Sequence, residues 1–374
     1  MQRQTADYWL ALSLIEGLGP VGVNRLLAAV GQVEELFFLP AAELQQMGRL
    51  RPETAARLAA FADWEAVTAI KKRLAALGVD LLVRDDERYP QNLLNIFDPP
   101  PILYGKGRLE VLAAPAIAIV GSRKASKRGC QFAFSLARDL AERGVVLVSG
   151  MALGIDAAAH AGCLHAGGRT IAVWGSGLDV CYPARHRELA ARIADSGLLL
   201  SEFPLGTRPE KQNFPRRNRL ISGLAAGVVV VEASLKSGSL ITARCALEQG
   251  REVFAVPGLP ASPESGGNNW LLKEGAQLVE SADDIFACLP DLAGGEAAVP
   301  VIADFTGEPP AVWTEEQKLL VELMGSAAYD MDELLGMTGW SHDRLSRVLL
   351  ELEISGGVWR TGGGRFQASL PAVR

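Results

Sequence analysis

The sequence predicts an α/β protein: a doubly wound, mostly parallel sheet with an all-α unit before it and a winged-helix-like unit after it. Two observations lead to this fold class. Between about residues 80 and 290, short runs of Val, Ile and Leu alternate with amphipathic stretches. Continuous apolar runs are typical of strands buried on both faces, and the stretches between them supply crossover helices. Outside that region, apolar residues recur at helical spacing.

These patterns divide the 374 residues into four segments. Two or three folded units are expected at this length, and an apolar content of 49% is ample for their cores. Residues 291–312 are rich in Gly, Pro and Ala and aperiodic, which is typical of a linker. We therefore predict a helical domain over 1–78, a central α/β domain over 79–290, and a winged-helix-like domain over 313–374.

The amino-terminal segment carries a glycine-rich turn between two helical stretches, at Ile15–Leu27. This pattern is similar to the helix-hairpin-helix motif, in which a turn and the following helix N-terminus present N–H groups to a DNA phosphate. A weaker second copy is present at Leu44–Ala56. An ordinary helical hairpin without DNA contact explains the pattern equally well.

Each strand of the central domain is predicted from one apolar run, and each helix from an amphipathic stretch between the runs. Ligands of such sheets lie outside the carboxyl ends of the strands, so the residues after each run are candidate site residues. The predicted strands are Ala116–Val120, Val145–Val148, Thr170–Val173, Leu198–Leu200, Val228–Val231, Val253–Val256 and Gln277–Val279. The predicted helices are Gln131–Arg143, Asp156–His165, Arg185–Ala194, Arg217–Ala226 and Leu240–Gln249.

The carboxyl-terminal segment has the element order of a winged helix. A capping-box-like helix start at Thr314 precedes helices at Met331–Leu335 and Arg344–Leu352, and Gly357–Gln367 has the turn content of a β-hairpin wing. This segment holds six basic residues against nine acidic ones, so we expect it to contact protein rather than read duplex DNA. The basic residues are Lys318, Arg344, Arg347, Arg360, Arg365 and Arg374.

The overall composition argues against several classes of protein. Five scattered cysteines without a Cys-x-x-Cys pair argue against a disulfide framework and a zinc ribbon. His160, Cys163 and His165 form a metal-like cluster, but residues five apart do not share a helix face, so no metal and no cofactor are predicted. Charges interrupt the amino terminus before any apolar run, and no stretch approaches the ~18 apolar residues of a membrane span, so a cytoplasmic location is expected.

Because the formal net charge is −6, any affinity for nucleic acid must come from local clusters of cations. The first cluster follows the strand Ala116–Val120: Gly121 opens a loop with four cations within six positions, directly before a helix. Glycine allows a close backbone turn and the helix start offers N–H groups, so phosphate is the expected ligand. Neither Gly-x-Gly-x-x-Gly nor the Walker pattern is present, so neither NAD nor ATP is indicated. The alternative is a solvated helix start. The four cations are Arg123, Lys124, Lys127 and Arg128.

The second cluster is Lys211–Ile221, in which four cations surround Phe214 and no acid intervenes. Pro215 is acceptable at a helix start, and Arg216 and Arg219, three apart, are expected to share one face. Cations beside an aromatic ring suit single strands, because phosphates need charge and unpaired bases can stack. Alternatively, the arginines pair with distant acids and Phe214 belongs to the core.

Other strand ends are less informative. The loop Ser149–Asp156 has small residues that permit close ligand approach, and for Asp156 a structural role is favoured. Ser237–Ala243 could bind a phosphate or cap its own helix. Glu202 and Glu232 follow strands, but the sequence does not show whether they converge into a catalytic pair.

The chain resembles the DprA/Smf family of DNA-processing proteins, and the matching motifs follow one another through the whole central domain. They are Ile119–Arg123, Ser149–Asp156, Gly177–Pro183, Ser201–Pro204, Asn213–Ser222, Lys236–Ser239 and Val256–Gly258. Cys181 departs from the larger or aromatic residue often found in the third motif. The flanking units also fit, since the family often has a helical amino-terminal domain and a winged-helix-like carboxyl-terminal domain.

The resemblance implies an extended Rossmann-like domain that binds single-stranded DNA and forms a homodimer. It further implies a non-enzymatic role in natural transformation: protecting incoming strands and loading the RecA recombinase. Gly121, Ser122 and Arg123 match the family's phosphate-holding loop, and Lys211 and Phe214 match a DNA-contacting lysine and aromatic. The predicted binding site also includes Lys124 of the first cation cluster and, from the other motifs, Gly150, Gly154, Asn213, Arg216, Arg217, Asn218, Arg219, Lys236, Ser237, Gly238 and Ser239.

One alternative function remains, because the same fold with glycine loops also hosts phosphoribohydrolases acting on nucleoside monophosphates. In that case Glu202 or Glu232 would have to serve as the catalytic acid.

Overall fold

The structure is a computed structural model that describes residues 3–260, 262, 264–294, 314–325, 327–355, 357–360 and 365–368. The chain folds into two compact units, residues 1–301 and 302–374. The predicted linker lies outside the described residues from 295 onward, and Pro290–Gly294 forms a short 3₁₀ turn. Among the helices of the described ranges, none is long and apolar enough to cross a membrane.

The first unit begins with five helices, which confirms the predicted all-α segment. Gly17 (φ +87°) lies in the turn of the first hairpin, where a Cβ would come within 2.7 Å of Thr54 Oγ1. Gly48 packs in the same way against Leu26. The two glycines therefore let two helical hairpins pack closely on each other. The helices are α1 (Thr5–Ser13), α2 (Pro20–Val30), α3 (Ala41–Gly48), α4 (Pro52–Ala59) and α5 (Trp64–Leu77).

A nine-stranded sheet follows, and all seven predicted strands are confirmed within one or two residues. They are β3 (Ala116–Val120), β4 (Val146–Ser149), β5 (Thr170–Trp174), β6 (Leu198–Ser201), β7 (Gly227–Val230), β8 (Glu252–Ala255) and β9 (Gln277–Leu278), all parallel. Two antiparallel strands that the sequence analysis missed, β1 (Asp80–Val83) and β2 (Ile102–Gly107), extend the edge beside β6. The strand order is β1-β2-β6-β5-β4-β3-β7-β8-β9.

Helices cover both faces of this sheet. On β3, Ala118 faces one core, built with the helices at 213–224 and 239–248, whereas Ile117 and Ile119 face another core, beneath the helices at 127–142 and 155–165. Both faces are therefore buried, as the continuous apolar runs predicted. The helices are α6 (Gln91–Leu94), α7 (Lys127–Glu142), α8 (Ile155–His165), α9 (Arg187–Ser196), α10 (Asn213–Leu224), α11 (Ser239–Glu248), α12 (Gly266–Lys273) and α13 (Ala282–Cys288).

The strand order reverses beside β3. From β3 the chain proceeds through β4, β5 and β6 in one direction, and then returns to place β7 on the other side of β3. Such a reversal opens a crevice at the carboxyl ends of the strands, where doubly wound folds bind ligands. A ligand site of this fold class is therefore expected in the crevice between β3 and β7 or at the loops after β3, β4 and β5.

The second unit is a winged helix with its own core, formed around Leu320, Leu334, Leu345 and Phe366. The predicted capping box is present, because Thr314 Oγ1 accepts from the Gln317 N–H (3.3 Å) and the Gln317 side chain accepts from the Thr314 N–H (2.9 Å). The elements are α14 (Glu315–Met324), β10 (Ala328–Tyr329), α15 (Met331–Thr338), α16 (His342–Ser355), β11 (Val358–Arg360) and β12 (Phe366–Ala368), with sheet order β10-β12-β11.

Candidate nucleic-acid interface

The two predicted cation clusters meet at the carboxyl ends of the central strands. Arg123 lies in the loop after β3 and Phe214 in the first turn of α10, and the Arg123 guanidinium carbon is 5.1 Å from the centre of the Phe214 ring. Helix α10 begins at Asn213, four residues before the predicted start, with Pro215 in its first turn where the missing N–H is tolerated. This early start brings Phe214 to the strand ends.

Phe214 belongs to an aromatic pair that the sequence analysis did not identify. The ring of Tyr182 lies 5.6 Å from that of Phe214, tilted by 44°, and Tyr182 is 46% exposed. Gly175 at the end of β5 makes room for the pair, because a Cβ there would lie 3.0 Å from the Phe214 ring. The available signal was a tyrosine in the segment directly after a buried strand.

Arg217 requires a correction, since the sequence analysis expected it at the DNA surface. It is only 4% exposed, and its Nη1 donates to the Val173 carbonyl of β5 (2.7 Å). Burial lowers the pKa of its guanidinium to about 10, so Arg217 stays charged at neutral pH beside the buried carboxylate of Asp156. Gly150 is required above it, because a Cβ there would overlap Nη1. Arg217 is therefore a structural residue, buried between the end of β5 and the loop after β4.

Asp156 has the structural role that was favoured for it. One carboxylate oxygen accepts from the N–H groups of Gly150 (3.1 Å) and Ala152 (3.2 Å), which fixes the loop between β4 and α8. Burial raises the pKa of this carboxyl group, and the Arg217 charge opposes the rise. The buried Asp156 and Arg217 thus fix this loop from within the protein, and the Asp156 carboxylate is not available to a ligand.

Arg219 is the second correction. Its Nη2 lies 2.6 Å from Glu202 Oε2 and its Nε lies 2.9 Å from Asp98 Oδ2, with the Arg219 side chain 10% exposed and that of Glu202 4% exposed. The expected common face with Arg216 is wrong, because Arg216 is exposed while Arg219 turns inward to these distant acids. Arg219 therefore ties α10 to the end of β6.

The asparagines and the serine loop mostly position other groups. Asn213 is 4% exposed and its Nδ2 donates to the Arg208 carbonyl (3.2 Å), so its side chain faces inward, contrary to expectation. Asn218 Nδ2 donates to the Gly238 carbonyl (3.3 Å), which joins α10 to the loop after β7. The hydroxyls of Ser237 and Ser239 hydrogen-bond to each other (2.7 Å).

The glycines of the phosphate-loop motif are required by packing. A Cβ on Gly121 would overlap Ile155, and Gly154 (φ +78°) lies against the Ser122 carbonyl, which accepts from the Ile155 N–H (3.3 Å). Ser122 Oγ accepts from the Lys124 N–H (3.1 Å). The loops after β3 and β4 are therefore packed together, and Arg123 and Lys124 project outward from them.

Five exposed cations of the predicted site remain after these assignments. Arg216 also lies over an aromatic ring, 5.4 Å from the centre of Phe203. None of the set forms a salt bridge with any residue in the described part of the chain, so their charges are available to an anionic ligand. The set is Arg123, Lys124, Lys211, Arg216 and Lys236.

Glu202 and Glu232, the two candidates for the catalytic acid of an enzyme, are held by internal partners, and the strands that they follow, β6 and β7, are separated by β5, β4 and β3. Glu202 pairs with Arg219, and burial raises the pKa of its carboxyl group. Glu232 accepts from the Ser126 N–H (2.9 Å) at the start of α7. The metal-like trio also separates: His160 contacts Thr170 Oγ1 (2.7 Å), Cys163 donates to the Arg169 carbonyl, and His165 is exposed. In the ranges that the structure covers, no group of three metal-ligating side chains forms.

Comparisons with known proteins match both units. The family model described as DNA recombination-mediator protein A matches residues 80–290, and the DprA winged helix domain matches residues 306–364. Protein Smf of Escherichia coli K12 is 42% identical over 285 residues, which is 76% of each chain.

Two solved structures are also similar. DNA processing protein A from Streptococcus pneumoniae has a TM-score of 0.69 and 37% identity, covering 77% of this chain and 98% of its own. DNA processing protein A from Helicobacter pylori, studied for its single-stranded DNA binding mode, has a TM-score of 0.52 and 35% identity, covering 57% of this chain and 96% of its own.

Proposed function

Since the chain belongs to the DprA/Smf family of DNA-processing proteins, we propose that its first unit binds single-stranded DNA at the carboxyl ends of β3, β4 and β5. The observation that carries the proposal is the Arg123–Phe214–Tyr182 cluster, together with Lys124 in the same loop and Arg216 on α10, exposed cations that form no salt bridge among the described residues. The exposed cations attract successive phosphates, and the aromatic pair offers rings to the bases. The single-stranded DNA binding of the Helicobacter pylori relative supports this choice of ligand.

The aromatic pair favours single strands over duplex. Bases in a duplex already stack on each other, so a protein ring can stack only on an unpaired base. Phe214 is half-buried beneath Arg123 and Tyr182, so a base must leave any helical stack to reach it. Phosphate contacts alone would hold both forms, which makes the preference for single strands the signature of this site.

The proposal is tested by a salt series on three variants. Arg123→Ala and Lys211→Ala should each weaken single-strand binding and flatten the salt slope by about one, if each residue contacts a phosphate. Arg143→Ala is a distant control: Arg143 lies over a phenylalanine (4.9 Å from the Phe286 ring) at the far end of α7, a helix roughly 24 Å long, and it pairs with Asp283 (2.6 Å). Unchanged slopes in the first two variants, or equal affinity for duplex, would contradict the proposal.

We further propose a non-enzymatic role in which the bound strand is protected during natural transformation and then passed to the RecA recombinase. The family description, recombination-mediator protein, supports this step. A sub-stoichiometric amount of the protein should speed RecA nucleation on single strands, and Arg123→Ala should abolish the effect. A protein that binds single strands but leaves RecA nucleation unchanged would limit the function to protection.

Self-association is proposed through an apolar surface on the same unit. Leu247 on α11 is 61% exposed and Trp270 on α12 is 42% exposed, and both line one groove with the exposed side chains of Ile241 and Leu235. A contiguous exposed apolar surface of this kind marks an interface, and a second copy is the partner that the resemblance implies. Leu247→Arg should convert a dimer into a monomer in sedimentation velocity, whereas Phe97→Arg, at an exposed apolar residue elsewhere, should not.

For the winged helix we propose a protein-binding role. Its helix α16 would be the DNA-reading helix of such a fold, but Arg344 pairs with Glu316 (2.6 Å) and Arg347 lies 3.6 Å from the same carboxylate. The charges of α16 are thus partly neutralised within the unit. Deleting residues 306–374 should leave single-strand affinity unchanged, and a large loss of affinity would contradict this assignment.

A further inference from the structure

The crevice that most doubly wound folds use for nucleotides lies beside the proposed strand site. In such folds a phosphate rests on the N-terminus of the helix after the first parallel strand, at the point where the strand order reverses. Here that point lies between β3 and β7, and the helix is α7. The Arg123–Phe214–Tyr182 cluster is displaced from it, toward the ends of β4 and β5.

The side chain of Glu232 occupies this crevice. Glu232 lies two residues after the end of β7, which pairs with β3, and its carbonyl accepts from the Ser122 N–H (2.6 Å). Its Oε2 accepts from the Ser126 N–H (2.9 Å) at the N-terminus of α7. The residue is 8% exposed, so the carboxylate is enclosed between the loop after β3 and the first turn of the helix.

Gly129 shows how closely the carboxylate approaches the helix. A Cβ on Gly129 would overlap Glu232 Oε2, so only glycine leaves room for the oxygen against the backbone of the first turn. The Gly129 N–H is itself capped by Ser126 Oγ (3.0 Å). The Ser126 and Gly129 N–H groups at this helix start are therefore taken by an internal anion and a hydroxyl.

We propose that Glu232 is a specificity-determining residue whose carboxylate occupies the phosphate position of the crevice and so excludes free nucleotides. A nucleotide phosphate would have to displace a side chain of like charge from favourable N–H donors. A strand does not need this position, because the outward cations hold its phosphates. Discrimination built against a competing ligand is as effective as added affinity for the right one. This inference rests on the proposed single-strand function.

The test compares the binding of AMP and of inorganic pyrophosphate by isothermal titration calorimetry at matched ionic strength. Glu232→Ala empties the crevice and should bind both ligands at least tenfold more tightly than the wild type. Glu232→Gln keeps the volume and an acceptor for Ser126 but removes the like charge, so its gain in affinity should be clearly smaller than that of Glu232→Ala. Glu210→Ala removes an exposed acid beside Lys211 and controls for a general loss of negative charge.

No gain in the alanine variant, or an equal gain in the alanine, glutamine and Glu210→Ala variants, would overturn the inference. The wild type supplies a test that needs no variant: AMP must not displace a bound oligonucleotide at matched ionic strength, and displacement would overturn it. A wild type that fails to bind single strands, combined with AMP binding by Glu232→Ala, would refute the proposed function alone. Strand binding without any gain in Glu232→Ala would refute this inference alone.

Discussion

Replacing Arg219 separates a structural arginine from a DNA-binding one. Arg219→Met keeps most of the side-chain volume but removes the charge, and it leaves Glu202, 4% exposed, without its 2.6 Å partner. Removing one member of a buried ion pair typically destabilises by about 3–5 kcal/mol, because the remaining charge is uncompensated. For a domain of this size, that corresponds to a fall in Tm of roughly 6–20 °C.

The assay is thermal and urea unfolding of Arg219→Met, compared with the wild type and with the double variant Arg219→Met/Glu202→Leu. The double variant should recover much of the loss, since an apolar replacement of a whole buried pair is often close to neutral. Burial already raises the pKa of Glu202, so lowering the pH protonates it more readily and should shrink the penalty of the single variant. The salt slope of single-strand binding should not change in any folded variant.

A loss of less than about 1 kcal/mol would refute this reasoning, because a surface ion pair contributes no more than that. A salt slope reduced by about one in folded Arg219→Met would also refute it, since Arg219 would then contact a phosphate.

Two further predictions concern stability. Gly150→Ala should destabilise the first unit by roughly 1–3 kcal/mol, because its Cβ would overlap the Arg217 guanidinium, and urea midpoints that match those of the wild type would contradict this. Burial lowers the pKa of His160 to about 3, so the unfolded chain binds a proton that the native protein does not between about pH 6.5 and pH 3. The free energy of unfolding should therefore decrease as the pH is lowered through that window, by up to about 1.4 kcal/mol per pH unit. Urea titrations of His160→Gln should show a shallower decrease, and a slope equal to that of the wild type would contradict the prediction.

The sequence was sufficient for the parallel strands because each is a run of apolar residues with no internal break. The strand β3 matches its prediction at both ends, Ala116 and Val120. The strand β2 escaped detection because Gly105 and Lys106 interrupt its apolar run and proline residues border it. Its pairing with β1 and β6 depends on residues far away in sequence, and no local pattern encodes it.

The site was predicted less completely, for a similar reason. A run of cations identifies Lys211–Arg219 as basic, but only the fold decides which cations face inward. Arg219 turns toward Glu202 and Asp98, and Arg217 turns toward a β5 carbonyl. These partners are contributed by separate elements, and helical spacing alone placed Arg219 with Arg216. Tyr182 was missed because its motif was read only for its resemblance.

The central claim is that a single strand lies on Phe214. The dissociation constant of a single-stranded oligonucleotide from the Phe214→Leu variant tests this claim most directly. Leucine keeps an apolar side chain against Gly175 but cannot stack, so affinity should fall by about 1–3 kcal/mol, roughly 5- to 150-fold. Phe286→Leu is the matched control, since Phe286 is also half-buried beneath an arginine, Arg143. Folded Phe214→Leu that binds a single-stranded oligonucleotide as tightly as the control would contradict the account.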